Sequence, residues 1–377
     1  MIPFNKPYLH GRELVYIANA VASGKISGDG EYSKKVHQFF CSRYGFKKTL
    51  LTTSCTDALE MASILLNIVP GDEVIVPSYT FVSTANAFAL RGAKLVFADS
   101  EEISPNIDPA KIEELITPRT KAIVVVHYAG IACDMSTIMD LANRHGITVV
   151  EDAAQAIDSY YHCQPLGSFG RLSTFSFHET KNIISGEGGL LCINDSSFEQ
   201  RAEVIREKGT NRSAFFRGEV DKYGWIDIGS SFLPSDIIAA YLYAQLENID
   251  QIQARRKEIW ELYRQRIEPL AKQYGRFTVP FIPDYATNNG HIFYLVCDSL
   301  KTRSDLIDHL KTNNVSAVFH YLSLHKSPFY FEKHDGRQLK NSDRYSDCLM
   351  RLPLFFELRN DQINFICDQI ATFSARN

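Results

Sequence analysis

The chain has 377 residues, 45% of them hydrophobic and 22% charged, and this composition excludes a disordered protein. Its length allows a large core and predicts two domains. A net charge of -4 provides no overall field for nucleic acid, so a phosphorylated ligand needs a local site. The eight cysteines are scattered without a CxxC pair, which argues against a zinc ribbon or a disulfide framework and suits a reducing compartment.

The N-terminal segment MIPFNKPYLHGRELV mixes polar and apolar residues and has no apolar signal core. No apolar stretch approaches the length that is needed to cross a bilayer. The sequence therefore predicts a soluble, cytoplasmic protein with neither a membrane nor a nucleic-acid partner.

From about residue 11 to 245, helix-like segments alternate with short Val/Ile-rich runs. These runs are DEVIVPSYTF, AKLVFADS, KAIVVVHYAG and GITVVEDAAQ, and each ends in polar or small residues. Continuous apolar runs are typical of strands that are covered on both faces. STIMDLANRHG predicts a helix that ends at Gly146. The alternation predicts an α/β fold with a mainly parallel sheet flanked by helices, and ligands collect at the carboxyl ends of such strands.

After about residue 245 the pattern changes. LENIDQIQARRKEIWELYRQRIEPLAKQYG predicts one long amphipathic helix. A smaller α+β pattern follows, with HIFYLVCDS as a strand, SDLIDHLKTNNV as a helix and SAVFHYLSLH as a second strand. We therefore expect a large cofactor-binding α/β domain over residues 1–250 and a small C-terminal α+β domain over residues 251–377.

Two segments place polar groups where that sheet should bind a ligand. TVVEDAAQAI brings Asp152 and Gln155 to the end of an apolar strand, although an aspartate there also serves as a helix N-cap. LLTTSCTDALEMA places small hydroxyl residues before a helix that starts near Thr56. Free N–H groups and the dipole at a helix N-terminus bind phosphate, but ordinary capping uses the same atoms.

The third segment, SFHETKNIISGEGG, holds Lys181 between the end of a strand and a glycine-rich turn. A lone lysine is usually a surface charge, yet a lysine held at the sheet edge can form a Schiff base if its neighbours lower its pKa. A lysine, a carboxylate and a helix N-terminus are together what a pyridoxal phosphate site needs. PSYTF offers Tyr79 or Phe81 to cover the ring of the cofactor.

The order TSCTDAL, PSYTFVSTANA, VVEDAAQA and SFHETKNIISGEGG resembles the nucleotide-sugar aminotransferases, a branch of the fold-type I pyridoxal phosphate enzymes. The resemblance covers almost the whole chain, from IPFNKPYL through SGKISGDG to FHYLSLHKSPFY. It implies the fold-type I aminotransferase fold, pyridoxal 5'-phosphate as cofactor, and L-glutamate and a nucleotide sugar as substrates. It also implies a homodimer with shared active sites.

By position, the resemblance implies that Lys181 binds the cofactor covalently and moves a proton between Cα of the donor and C4′ of the cofactor. Asp152 would pair with the pyridinium nitrogen. The remaining cofactor contacts would come from residues at the ring and the phosphate, namely Gln155, Phe81, Ser176, Thr56 and the backbone N–H of Cys55.

The chain departs from the family in the block that reaches the neighbouring subunit. The usual asparagine and arginine of a G-x-N-Y-R block are replaced in GSSFLPSDI by Ser231 and Leu233. Ser231 can still donate a hydrogen bond to the cofactor phosphate. The runs KGTNRSAFFRGEVDKYGW and DIGSSFLPSDIIAAYL resemble the branch that aminates C4 of dTDP-4-keto-6-deoxyglucose with L-glutamate, for a cell-surface glycan.

The diphosphate of such a substrate requires cations or N–H donors nearby. The candidates are Lys25, Arg212 and Arg217, for which solvated surface charges are the alternative interpretation. Three histidines are further candidates for substrate binding, with an ordinary core or surface position as the alternative: His178 beside the lysine, and His320 and His325 in FHYLSLH.

The sequence leaves three other functions as alternatives. The same fold and cofactor could serve amination at C3 or of another nucleotide-linked keto-sugar. A non-catalytic binding module is a second alternative, but Lys181, Asp152 and Gln155 are all present. A dinucleotide-binding dehydrogenase lacks support, because no GxGxxG follows the first predicted strand.

Overall fold

The structure is a computed structural model that describes residues 1–376. Its strands are β1 (Lys48–Thr52), β2 (Glu73–Pro77), β3 (Lys94–Ala98), β4 (Thr120–Val126), β5 (Thr148–Asp152), β6 (Tyr160–Tyr161), β7 (Gln164–Pro165), β8 (Leu172–Ser176), β9 (Gly189–Ile193), β10 (Phe277–Thr278), β11 (Phe293–Cys297), β12 (Val318–Phe319) and β13 (Leu349–Leu352). Its α-helices are α1 (Glu13–Ala22), α2 (Glu31–Tyr44), α3 (Cys55–Leu65), α4 (Val82–Ala89), α5 (Met135–His145), α6 (Glu199–Arg206), α7 (Arg212–Phe216), α8 (Asp236–Glu247), α9 (Ile249–Tyr274), α10 (Leu300–Thr312), α11 (Lys340–Cys348) and α12 (Asn360–Arg376).

The large sheet has seven strands in the order β1-β9-β8-β5-β4-β2-β3. All of its pairs are parallel except those made by β9, which runs antiparallel to β8 and to β1. The prediction of a mainly parallel sheet flanked by helices is therefore confirmed. Because β1, β8, β5, β4 and β2 all point the same way, their carboxyl ends share one edge, and α3 begins at that edge.

The continuous apolar runs arise because helices cover both faces of this sheet. Along β4, Ile123 and Val125 belong to the hydrophobic cluster that contains Phe40 of α2. Ala122 and Val124 alternate with them and belong to the cluster that contains Met61 of α3. Both faces of β4 are therefore covered by apolar residues. Its sequence consequently lacks the alternation of polar and apolar residues that is typical of a half-exposed strand.

The small sheet is antiparallel, with the order β10-β11-β13-β12. Helices α9, α10 and α12 supply the other side of its core, through residues such as Trp260, Leu306 and Ile370. The strands of the large sheet come from residues 48–193 and those of the small sheet from residues 277–352. The domain boundary at residue 250 stays a prediction.

Two predicted elements differ from the structure. The helix predicted from residue 246 is divided at Asn248, where α8 ends, and α9 continues to Tyr274 with Gly275 at φ 65° as its cap. The strand predicted over SAVFHYLSLH is wrong beyond Phe319, because only Val318 and Phe319 pair with β13. The chain leaves the small sheet there, and the N–H of Leu324 donates to the carbonyl of Ser78 in the large domain (2.9 Å).

Among residues 1–376, each helix is too short or too polar to span a membrane.

Candidate active site

A cavity of about 560 Å³ opens at the shared carboxyl edge of the large sheet. One wall comes from the strand ends of the large sheet and from α3, and the other from the small sheet and the segment that follows β12. The cavity lining brings together nine of the residues that the sequence singled out: Cys55, Thr56, Phe81, Asp152, Gln155, Ser176, His178, Lys181 and His320. Residues from five separate sequence segments therefore meet in one place.

Lys181 lies in the turn between β8 and β9, where its backbone N–H donates to the carbonyl of His178 (2.8 Å). Its Nζ makes no hydrogen bond or ion pair with any described residue, although the side chain lines the cavity. Burial lowers the pKa of its ammonium, and the nearby carboxylate of Asp152 opposes that shift. An amine with a lowered pKa and no protein partner is suited to nucleophilic work.

The lowered pKa of Lys181 predicts how cofactor uptake depends on pH. Attack on an aldehyde needs the neutral amine, so we expect the uptake rate to rise with pH, with a midpoint below that of an ordinary lysine. Asp152→Asn removes a charge that favours the ammonium and should move the midpoint to still lower pH. Absorbance-monitored uptake of pyridoxal phosphate by the apo-protein measures both midpoints. A variant midpoint equal to or above that of the wild type would contradict the assignment.

Asp152 ends β5, and its carboxylate is buried in the wall of the cavity. Thr84 donates to Oδ2 (2.7 Å) and the N–H of Ala154 donates to Oδ1 (3.1 Å), so the orientation of the carboxylate is set by two bonds. Burial raises the pKa of Asp152, and these hydrogen bonds oppose the rise. A buried carboxylate without a protein cation bonded to it can accept a hydrogen bond from a cationic ligand.

Gln155 follows Asp152 by three residues and is also buried. Its Oε1 accepts from the N–H of Ala129 (2.7 Å), and its Nε2 donates to the hydroxyl of Tyr321 (2.9 Å). The amide is thus held from both ends, and the second N–H of Nε2 remains to serve a ligand oxygen.

The N-terminus of α3 supplies an anion site at another part of the wall. Ser54 caps the helix by accepting from the N–H of Asp57 (3.1 Å), and Ser54, Cys55 and Thr56 all line the cavity. Thr56 donates to the hydroxyl of Ser83 (2.8 Å), which also lines the cavity. Hydroxyl groups around the positive end of a helix dipole form a site for a phosphate.

Gly189 allows β9 to start against that helix. A Cβ built at Gly189 would lie 2.3 Å from the carbonyl carbon of Ser54 and 2.5 Å from the backbone nitrogen of Cys55. Gly189 is one of the glycines that follow Lys181 in the sequence, and the close approach of two backbone segments requires a glycine there.

We expect Gly189→Ala to destabilise the protein by about 1–3 kcal/mol, because backbone on both sides must move to admit the methyl group. The same movement disturbs the N-terminus of α3 and should weaken the affinity for pyridoxal phosphate. Urea unfolding of the apo-protein and titration with the cofactor measure the two effects. Stability of Gly189→Ala equal to that of the wild type would exclude the close approach.

Of the two aromatic residues offered to the ring, the structure brings Phe81 to the cavity. Its ring centroid lies 6.0 Å from that of Tyr321, which also lines the cavity. Tyr79 is only 1% exposed and packs against Tyr128 and Tyr345 in the core instead.

Five further predicted residues lie outside the cavity of this chain. Lys25 is exposed, the guanidinium of Arg212 lies 3.6 Å from the carboxylate of Glu207, and that of Arg217 lies 2.8 Å from the carboxylate of Glu203. Ser231 is exposed and forms a backbone bridge with Glu207. His325 is buried, with Nδ1 2.7 Å from the hydroxyl of Ser78. The exposed residues do not line the cavity of their own chain, and His325 is engaged in the core.

Several residues that line the cavity or support its wall were not predicted. Tyr321 holds Gln155 and stacks on His320 with ring centroids 3.5 Å apart. Thr84 holds Asp152, and His291 bonds through Nδ1 to Asn182 (2.8 Å). Burial lowers the pKa of both His291 and His320, so both rings are neutral at pH 7. The small sheet contributes the charged side chain of Arg351, on β13, to the cavity lining.

Comparison with known proteins identifies relatives over the full chain. The sequence model of the DegT/DnrJ/EryC1/StrS aminotransferase family matches residues 7–371. The spore coat polysaccharide biosynthesis protein SpsC of Bacillus subtilis (strain 168) is 33% identical over 381 residues, which cover 98% of this chain and 96% of SpsC.

Two solved structures are also similar. The aminotransferase TlmJ from Streptoalloteichus hindustanus has 28% identity and a TM-score of 0.91, covering 100% of this chain and 99% of its own. DesV of S. venezuelae, solved with a ketimine intermediate, has 27% identity and a TM-score of 0.90, with the same coverage.

The fold and the cavity thus define a pyridoxal phosphate-dependent sugar aminotransferase. The chain belongs to the DegT/DnrJ/EryC1/StrS aminotransferase family, whose aminotransferases use pyridoxal phosphate.

The residues present fit this cofactor. The amine of Lys181 has no partner among the described residues, as a group that will bind an aldehyde requires. The close approach at Gly189 places β9 against the helix end that would take the phosphate. Asp152 is the buried carboxylate that a pyridinium nitrogen needs.

Proposed function

We propose that the protein transfers an amino group from L-glutamate to the C4 keto group of dTDP-4-dehydro-6-deoxy-D-glucose. The product is dTDP-4-amino-4,6-dideoxy-D-galactose, for a cell-surface polysaccharide of the enterobacterial common antigen type. The observation that carries the transamination is the unpartnered amine of Lys181 in one cavity with the buried Asp152. The resemblance of residues 208–225 and 227–242 to the C4-aminating branch supports the choice of sugar.

Bound pyridoxal phosphate supplies an aldehyde that takes up the amino group and a ring that accepts negative charge. Lys181 would hold the cofactor between turnovers. Its amine, once free, would move a proton between Cα of the donor and C4′ of the cofactor, and with the keto-sugar it would move a proton in the reverse direction. One tethered base serves both atoms because it stays beside both of them.

The other cavity residues hold the cofactor for these transfers. Asp152 would keep a proton on the ring nitrogen, and Gln155 would donate from Nε2 to the ring oxygen. Phe81 would cover the ring. The phosphate would be held at the N-terminus of α3 by the hydroxyls of Thr56 and Ser176 and by the N–H of Cys55.

We also propose that the enzyme is a homodimer in which each subunit completes the other's cavity. The segment 216–228 carries exposed apolar side chains, among them Phe216 (69% exposed) and Trp225 (83%). Such a patch on a polar loop marks an interaction surface. Arg212 and Ser231, which this chain leaves outside its own cavity, would then reach the nucleotide and the cofactor phosphate of the neighbour.

The presence of eight free thiols supports a reducing compartment, and we propose the cytoplasm as the place of the reaction.

A panel of nucleotide-linked keto-sugars with L-glutamate as donor tests the assignment. We expect the C4 ketone of the dTDP-linked 6-deoxy sugar to be aminated with the highest kcat/KM, and NMR of the product to show an axial amine. Reciprocal plots with both substrates varied should be parallel, because the first product leaves before the second substrate binds. A preference for a C3 ketone or for another nucleotide would replace the proposed substrate, and intersecting plots would contradict the scheme.

A further inference from the structure

Arg351 lies on β13, in the wall opposite the cofactor residues of the large sheet. It pairs in register with Tyr294 of β11 and with Val318 of β12, so its place is fixed by the middle of the small sheet. Its neighbours in the sequence, Met350 and Leu352, are fully buried. A single cation therefore extends from an otherwise apolar strand into the cavity.

The guanidinium of Arg351 makes few hydrogen bonds with the described protein. Nη2 donates to the carbonyl of Phe319 (3.2 Å), and the group lies 4.7 Å from the ring centroid of Phe4. Nε is buried without a hydrogen-bond partner, and no carboxylate of residues 1–376 lies within ion-pair distance. A buried cation is costly unless an anion or acceptors compensate it.

Arg256 shows what a structural arginine looks like in the same protein. Its guanidinium is also buried and also lacks a carboxylate among the described residues. It donates instead to three backbone carbonyls, those of Gly290 (3.1 Å), His291 (2.7 Å) and Leu354 (3.4 Å). Arg256 is thus saturated by the fold, whereas Arg351 keeps donors for a ligand.

The cavity offers separate places for the anions that enter it. The cofactor phosphate has the N-terminus of α3, on the wall of the large sheet. Arg351 lines the same cavity as Lys181 and is close enough for its charge to lower the pKa of that amine. A small acid whose amino group reacts near Lys181 can reach this place. In the proposed nucleotide sugar the diphosphate is attached at C1, across the sugar ring from the C4 keto group, so it is further from the reacting carbon than a carboxylate of the amino donor is.

We propose that Arg351 binds a carboxylate of the amino donor. The planar guanidinium can donate to both oxygens of a carboxylate. The bound anion also supplies the negative charge that no described carboxylate of the protein provides at Arg351. The inference rests on the proposed transamination, because it assigns the donor subsite of that cavity. It makes Arg351 a binding residue for the first half-reaction alone.

Single-turnover kinetics of Arg351→Gln and Arg351→Lys test the proposal, each half-reaction being followed separately by the absorbance of the bound cofactor. We expect kcat/KM for L-glutamate to fall by roughly 30-fold or more in Arg351→Gln, the cost of removing a charge-assisted bond in a buried site. Arg351→Lys should recover part of this loss, because it keeps the charge without the fork. Enzyme preloaded with pyridoxamine phosphate should react with the keto-sugar at the wild-type rate in both variants.

Binding of glutarate, measured by calorimetry on the holoenzyme, gives a readout that does not depend on turnover. It should weaken in parallel with the glutamate reaction. Arg359→Gln is the matched control, since Arg359 lies on the surface beside Asp361 (2.9 Å) and away from the cavity. Unchanged glutamate and glutarate binding in Arg351→Gln, or a loss confined to the keto-sugar half-reaction, would overturn the proposal. If the wild type reacted with glutamate but aminated no nucleotide sugar, the proposed function would fail and the donor subsite would still be tested.

Discussion

Lys181→Ala is expected to abolish transamination, lowering kcat by about 10⁴-fold or more. The variant loses both the covalent hold on the cofactor and the base that carries the proton between Cα and C4′. No imidazole of the cavity can replace the covalent hold on the cofactor, and His291 and His320 are already engaged with Asn182 and Tyr128. Steady-state turnover with L-glutamate and the keto-sugar measures the effect.

Two comparisons separate this loss from unfolding. Lys272→Ala removes a lysine that pairs on the surface of α9 with Glu268 (2.7 Å), and it should keep wild-type turnover. The apo form of Lys181→Ala should unfold at a urea concentration no lower than that of the wild type, because it no longer buries an unpaired ammonium. Turnover within tenfold of the wild type would contradict the role of Lys181.

Asp152→Asn is expected to reduce kcat by about 10²- to 10³-fold while the folded protein persists. The amide has the size of the carboxylate; its Oδ1 can still accept from the N–H of Ala154, while its Nδ2 donates to the hydroxyl of Thr84. It cannot keep a proton on the ring nitrogen, so charge that forms at the reacting carbon is no longer drawn into the ring. Kinetics of both half-reactions should show the same loss, because both pass through that charge.

The stability of the apo-protein shows whether the negative charge of Asp152 favours or opposes folding. Folding raises the pKa of Asp152, mainly by burial, so stability is lost as the pH rises from the unfolded pKa to the raised folded pKa, and the full loss persists at higher pH. Apo Asp152→Asn should therefore be at least as stable as the apo wild type at pH 7. Thr84→Val, which removes one of the two bonds to the carboxylate, should cost less activity than Asp152→Asn. A destabilised and fully active Asp152→Asn would show that the carboxylate is structural.

The large sheet could be predicted because its strands are buried on both faces and therefore lack polar interruptions. The positions of Asp152 and Ser176 followed from the same reasoning, since both residues stand where a parallel strand ends. The start of α3 was also predictable, because Ser54 and Asp57 carry the local capping chemistry. Each of these features depends on a few neighbouring residues.

The wall from the small sheet could not be predicted in this way. Tyr321 was read as part of a strand, but the chain leaves the small sheet after Phe319 and brings the tyrosine against Gln155. His325, in the same run, faces Ser78 instead of the cavity. These outcomes depend on how two distant parts of the chain pack together. Arg351 alone had a local signal, a cation within the apolar run CLMRLPLFF, which is costly to bury without a role.

The absorption spectrum of the purified protein with pyridoxal phosphate tests most directly whether Lys181 carries the cofactor through an amino-group transfer. We predict a visible band of lysine-bound cofactor that L-glutamate converts to the spectrum of the aminated form. Adding dTDP-4-keto-6-deoxyglucose should then restore the band, and Lys181→Ala should never form it. A wild-type protein without the band, or with a band that L-glutamate leaves unchanged, would contradict the assignment.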